Sequence, residues 1–238
     1  MGFYGVDASI WQGTNVDFNK LKADGNKFAI FRAGYGDALS YPKQFDTTFN
    51  SNCEKAHNAG LDVGAYWYCY ATDEKSAKRE AESCLQAIRG KKFEFPIFYD
   101  IEELSTLNLP VVTCDKILKT FCDTLLNNGY YAGLYCSTWW AQKSFSIDMR
   151  DSVPLWIAEY GTSKCNYPRQ FAIWQYGTVK CDTASGGVID SNIAYENLAQ
   201  YIITNGLNGY AKQDPTKTKI LQKIAAIKAD LNELERMI

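Results

Sequence analysis

A glycine followed by an apolar strand recurs along this chain, and that repeat restricts the fold more than any other feature. Asp24-Gly25 precedes 27–34 (KFAIFRAG), Ala59-Gly60 precedes 61–70 (LDVGAYWYCY), Gly90 precedes 93–102, and Asn128-Gly129 precedes 130–136 (YYAGLYC). Each glycine stands where a helix would end in the left-handed conformation. The intervening segments 16–24, 45–59, 73–89 and 110–128 read as amphipathic helices. Successive glycines lie about 30 to 40 residues apart, the length of a βα unit. Strands and helices alternating in this way predict a parallel sheet, open or closed. After residue 150 the rhythm changes: 153–159 (VPLWIAE), 170–176 (QFAIWQY) and 187–190 (GVID) read as strands joined by loops with little helix. No phosphate-binding glycine fingerprint follows the first strand, which disfavours an open doubly wound sheet. A β/α barrel whose last strands lack full helices fits better.

The run Phe95-Pro96-Ile97-Phe98-Tyr99-Asp100-Ile101-Glu102-Glu103 starts as a buried strand and ends in acid. Residues i and i+2 of a strand point to the same side, so Asp100 and Glu102 project together. Carboxylates held that close cannot both ionise freely, and one pKa is expected to rise. A proton donor beside an anion suits acid-catalysed cleavage of a glycoside, while a solvated strand end capping the next helix is the plainer alternative. In a β/α barrel the C-terminal strand ends form one rim. The proposed ends carry Asp7, Asp100, Glu102 and Asp190, with Tyr66, Trp67, Tyr68, Tyr70, Tyr135, Glu159, Trp174 and Gln175 nearby. Acids and aromatics without histidine make a poor metal site of the nitrogen-ligand type and a good sugar site. The aromatics Tyr66, Trp67, Tyr135 and Trp174 serve either as sugar platforms or as barrel filling. Arg32 could balance the acids or form an ordinary core ion pair. His57, with no Ser or Cys partner pattern near it, reads as structural or surface.

A net charge of −2 without any Lys/Arg block argues against nucleic acid as the main partner. No window approaches a membrane span, and the N-terminus has neither a basic n-region nor an apolar h-region, so a chain made in the cytoplasm without a signal peptide is expected. The eight cysteines are scattered with no two-residue spacing, which favours reduced, buried thiols over a metal site or disulfide framework. Cys165 and Cys181 are the pair to consider if a bridge exists. At the C-terminus Ile220, Ile224, Ile227, Leu231, Leu234 and Ile238 alternate spacings of four and three, a short heptad seam. Homo-oligomerisation through that seam is expected, with a helix packed on its own domain as the alternative. The domain boundary is placed so that 1–208 form the barrel and 209–238 the linker and helix.

Several of these segments carry a resemblance in register. Gly5-Val6-Asp7-Ala8-Ser9 with Trp11-Gln12-Gly13, Asp100-Ile101-Glu102, and Ala172-Ile173-Trp174-Gln175-Tyr176 followed by Val188-Ile189-Asp190 resemble glycoside hydrolase family 25, the Chalaropsis-type muramidases and related phage endolysins. The resemblance spans about residues 3 to 195. It implies a TIM-like β/α barrel with five regular βα units and three final strands, here with an added C-terminal amphipathic helix. It implies cleavage of the β-1,4 bond between N-acetylmuramic acid and N-acetylglucosamine of peptidoglycan, with retention, no cofactor, and action on the cell wall after release. By the same resemblance Glu102 is the general acid/base, Asp100 holds the substrate acetamide, and Asp7 and Asp190 line the cleavage subsite; from their places at strand ends, Tyr66, Trp67, Tyr135, Trp174 and Gln175 are the candidate sugar contacts. A chitin-directed hydrolase and a non-catalytic glycan-binding module are the competing readings. Glu103 is an addition to the family pattern, and strand alternation predicts that it points away from the site.

Overall fold

A computed structural model describes residues 2–212; the heptad residues Ile220, Ile224, Ile227, Leu231, Leu234 and Ile238 lie outside the described residues. Eight strands close into a barrel in chain order. β1 (Phe3–Ala8) is followed by α1 (Phe18–Ala23), β2 (Phe28–Tyr35) by α2 (Phe49–Asn58), and β3 (Asp62–Tyr68) by α3 (Glu74–Ile88). β4 (Ile97–Asp100) leads into the short α4 (Leu104–Leu107) and the long α5 (Val111–Leu126). β5 (Ala132–Ser137) leads into α6 (Thr138–Ser144) and α7 (Ile147–Asp151). β6 (Leu155–Ala158), β7 (Ile173–Lys180) and β8 (Val188–Ala194) then succeed one another without an intervening α-helix, and α8 (Leu198–Asn205) follows.

Neighbours from β1 to β7 pair in parallel, as the alternation predicts. β8 departs from that expectation and pairs antiparallel with both β7 and β1. Only a short turn separates β7 from β8, and a parallel neighbour would need a crossover of a dozen residues or more.

Strand alternation divides the apolar residues into two layers. Val6, Ala29, Phe31, Val63, Ala65, Ile97, Tyr99, Leu134 and Ile157 face outward and are buried beneath the helices. Phe28, Ile30, Phe98, Tyr135, Trp156 and Ile173 face inward and fill the barrel. Phe28 stacks on Phe95 with centroids 4.3 Å apart, and Phe98 meets Trp156 edge-on at 5.3 Å. Each such side chain contributes about 1.5–3 kcal/mol by leaving water. The interior is tight enough that a Cβ on Gly5 would lie 2.5 Å from the Phe28 ring. The barrel below the mouth is therefore solid, and ligands are confined to the rim.

At the opposite end the chain is tied down by Asn208, which is fully buried and left-handed at φ 54°. Its Nδ2 donates to the Phe95 carbonyl at 2.9 Å, its Oδ1 accepts from the Tyr131 amide at 2.7 Å, and its backbone bonds Gly129 and Phe93. Tyr210 then reaches Glu94 with its hydroxyl. Contacts of the barrel thus run through Tyr210, two residues beyond the boundary read from sequence. Replacing Asn208 by Ala strands a buried amide and a buried carbonyl at the entries of β5 and β4. Urea denaturation of Asn208→Ala is expected to show a loss of roughly 2–4 kcal/mol with an unchanged m-value.

Candidate active site

The rim formed by the C-terminal ends of the parallel strands carries the acids. Asp7 stands near the end of β1 and Asp100 ends β4. Asp190 does not end its strand; it lies near the start of β8, and because β8 is antiparallel that start reaches the same rim, with Asp190 directly opposite Asp7. Partners opposed across an antiparallel pair have Cβ atoms about 4.5–5.5 Å apart. Glu102 lies just beyond β4. The Ile101 amide still donates to the Tyr135 carbonyl at 3.0 Å, and Ile101 is buried on the outer side, so Asp100 and Glu102 both face the mouth.

Two side-chain amides hold Asp7. Gln175 Nε2 and Asn192 Nδ2 each donate to its Oδ2 at 2.8 Å. The orientation of each amide is set from behind. Gln175 Oε1 accepts from the Tyr135 hydroxyl at 2.6 Å and also from the Tyr160 hydroxyl, while Asn192 Oδ1 accepts from Trp156 Nε1 at 2.8 Å. This network fixes Asp7 within the barrel mouth without any cation. Burial and then the charge of Asp190 push its pKa up to about 7, against the lowering effect of the two amides. Asp100 is only 4% exposed, and its Oδ1 has no hydrogen-bond partner among the described residues. Burial, followed by the charges of Glu102 and Asp7, holds its pKa well above the usual carboxylate range, with Arg32 pulling the other way. Glu102 is solvent-exposed at the mouth. Its pKa is also raised, by partial burial and then by Glu103 and Asp190.

Arg32 satisfies both expectations raised for it. Its Nε bonds the buried Asp46 carboxylate at 2.9 Å, and its charge acts on Asp100. Asp46 also accepts from the Ile10 amide and from Thr48, so one carboxylate fixes Arg32 and the loop after β1 together. His57 is outside the site, bonded to Glu94 at 2.9 Å. Glu159 is taken up by Asn166 and Thr138 as a loop anchor. All eight cysteines are unpaired, and among the described residues no group of His, Cys, Asp or Glu could hold a metal ion.

The aromatics divide by strand parity. Tyr66 and Tyr135 face inward, Tyr66 meeting Trp156 edge-on at 6.1 Å. Trp67 and Trp174, expected to contact sugar, are buried on the outer side of their strands. Trp67 is wholly buried on the outer face of β3, packed edge-on against Phe45, with Nε1 donating to the Gly36 carbonyl at 3.2 Å. A Cβ on Gly34 would come within 2.6 Å of its indole, so the adjacent strand is shaped around it. Trp174 alternates with the inward Gln175 and donates Nε1 to the Glu159 carbonyl at 2.9 Å. One residue of displacement along a strand moves a side chain to the other face, which explains both corrections. Glu103 departs in the opposite sense: its Oε1 accepts from the Tyr68 hydroxyl at 2.8 Å, although alternation predicts that it points away. The strand has ended by then, so the period of two no longer applies. Of the supporting residues, Tyr68 is placed at the rim by its strand, whereas nothing in the sequence marks Asn192 and Trp156 except the parity of Asn192, two residues after Asp190.

A solid barrel thus carries acids of raised pKa gathered at its open rim, an arrangement suited to acid–base chemistry on a bound ligand. The sequence model of Glycosyl hydrolases family 25 matches residues 6–183, and the chain belongs to that family. It is 31% identical over 202 residues to the autolytic lysozyme of Clostridium acetobutylicum, covering 85% of this chain and 57% of that relative. The chain thus spans little more than half of that relative's length. A family 25 glycosyl hydrolase from Bacillus anthracis superposes with a TM-score of 0.69 at 22% identity, over 84% of this chain and 92% of that one. A bacterial lysozyme from Streptomyces coelicolor superposes with a TM-score of 0.68 at 22% identity, over 85% and 96%. These structures share the fold.

The raised pKa of Asp7 has a consequence for stability. Its folded value of about 7 lies above the unfolded carboxylate value of 3.8, so the native state binds the extra proton between those limits. Its contribution to stability is therefore full below about pH 4 and is lost as pH rises toward 7. Asp7→Asn is expected to remove the part of this decline that Asp7 contributes. Chemical denaturation should find it more stable than wild type by about 2 kcal/mol at pH 8, with the difference shrinking toward pH 4.

Proposed function

We propose that this chain is a 1,4-β-N-acetylmuramidase that cleaves peptidoglycan between N-acetylmuramic acid and N-acetylglucosamine. The observation that carries the reading is the buried Asp100, with an unpartnered Oδ1, beside the more exposed Glu102, whose pKa is raised by partial burial and neighbouring acids. A buried acceptor without a donor costs about 1–3 kcal/mol, and a substrate N–H arriving there removes that cost. The acetamide of an N-acetylated sugar supplies such an N–H. Membership in glycosyl hydrolase family 25 and the naming of the Clostridium relative as an autolytic lysozyme support the same bond and the cell wall as the place of action.

In this mechanism Glu102 gives its proton to the glycosidic oxygen as the bond to the leaving sugar breaks. The acetamide carbonyl oxygen attacks the anomeric carbon from the opposite face. Asp100 receives the acetamide N–H and balances the positive charge that develops on the ring so formed. Glu102, now a carboxylate, takes a proton from water, which adds to the anomeric carbon and reopens the ring. Two displacements leave the configuration retained. Asp7 and Asp190 close the subsite, with Asp7 fixed by Gln175 and Asn192. Tyr66 and Tyr135 border the sugar, while Trp67 and Trp174 contribute only packing.

Digestion of purified peptidoglycan, borohydride reduction of the new ends and mass spectrometry test the reading. New muramitol ends are expected. Glu102→Gln should lower kcat/KM by about 10³-fold or more, and Asp100→Asn by about 10²–10³-fold. Glucosaminitol ends would identify a glucosaminidase instead, and binding without new ends would identify a glycan-binding module.

A further inference from the structure

We propose that Glu103 is a positioning residue for glycan cleavage: clamped by Tyr68 beside Glu102, its carboxylate keeps the catalytic proton on Glu102. The inference rests on the reading of Glu102 as the general acid. The acid pair alone does not account for Glu103, whose side chain turns back toward the mouth as the chain leaves β4. The backbone there (φ −68°, ψ 129°) starts α4, yet the Glu103 carboxylate makes no capping bond to that helix. It is used instead to accept the Tyr68 hydroxyl at 2.8 Å. Tyr68 is itself braced. It pairs in register with Asp100, and its ring lies 5.3 Å from Tyr70, which is 6.0 Å from Tyr35. A phenol donates one hydrogen bond, and burial followed by the bond to Glu103 raises the Tyr68 pKa, so it stays a donor across the working range. A hydrogen bond to a carboxylate is of the stronger, charge-assisted kind and holds the charge in place.

The groups facing Glu102 make Glu103 the natural lever on it. Asp7 and Asp190 approach from β1 and β8, Asp100 from β4, Tyr68 from β3, Tyr135 from β5, and Tyr160 from the loop after β6. The cation of β2, Arg32, is bonded to Asp46 and acts on Asp100. After burial itself, the charge of Glu103 is the strongest influence raising the Glu102 pKa. A general acid must still hold its proton when substrate arrives, so the neighbouring anion extends activity toward higher pH.

The test is the pH dependence of kcat/KM on purified peptidoglycan for the wild-type chain, Glu103→Gln, Glu103→Asp and Tyr68→Phe, with Glu102→Gln alongside. Glu103→Gln keeps the shape and an acceptor for Tyr68 but removes the charge. Its alkaline limb is expected about one pH unit below that of wild type. Glu103→Asp keeps the charge and should restore most of that shift, while Tyr68→Phe, which frees the carboxylate, should give a smaller shift in the same direction. An alkaline limb unmoved in Glu103→Gln overturns the proposal, whatever happens to kcat. A wild-type chain that cuts no glycan, or a Glu102→Gln variant that still cuts, overturns the underlying assignment and the proposal with it.

Discussion

The mouth of this barrel depends on β8 running against its neighbours. The other seven strands all point toward the rim, and a parallel eighth strand would leave Asp190 placed by a different end of its chain. Inserted antiparallel between β7 and β1, β8 brings Asp190 across from Asp7 and Asn192 onto the inner face two residues further on. The same strand therefore raises the Asp7 pKa by its charge and holds the carboxylate by its amide. Closure of the sheet and construction of the site are one event.

Acids crowded at a half-buried rim oppose folding, and the structure contains that repulsion without neutralising it. Apart from Arg32, whose Nε is committed to Asp46, support comes from neutral donors: two amides on Asp7 and a phenol on Glu103. Neutral donors fix position while leaving protons available, whereas a full ion pair would lock each acid in its charged form. Among the described residues Asp100 is left without a donor on Oδ1, a buried acceptor at the rim that the protein itself does not satisfy. Such local violations of good packing and polar pairing are expected where a protein acts on a ligand. The cost is supported by the solid interior of Phe28, Phe95, Phe98 and Trp156 below.

Much of this was legible in the sequence because it follows from short-range rules. Glycines after helices, apolar strands between them and the loss of helices after residue 150 predict the order of elements found. The spacing of Asp100 and Glu102 predicts a shared face, and the ladder bond of Ile101 carries the strand geometry far enough for that to hold. The aromatics were harder. Trp67 and Trp174 are as suited to a sugar platform as Tyr66, and only the parity of their strands sends them outward. Parity relative to Asp100 and Gln175 separates them, whereas aromatic character does not. Glu103 lies beyond the end of β4, where the period of two no longer fixes the direction of a side chain.

What the sequence by itself determined is the inventory: which segments become strands and helices, where they stop, and which acids arrive at strand ends. Those are consequences of backbone preference and hydrophobic period, which act over a few residues. The tertiary structure alone decided the direction of β8, the pairing of Arg32 with Asp46, the amide network around Asp7 and the clamp of Tyr68 on Glu103. Each of these joins residues far apart in the chain, and each depends on the barrel closing before the partners can meet. Their effect on proton affinity follows from burial and from charges across the mouth, quantities that exist only once the sheet is closed.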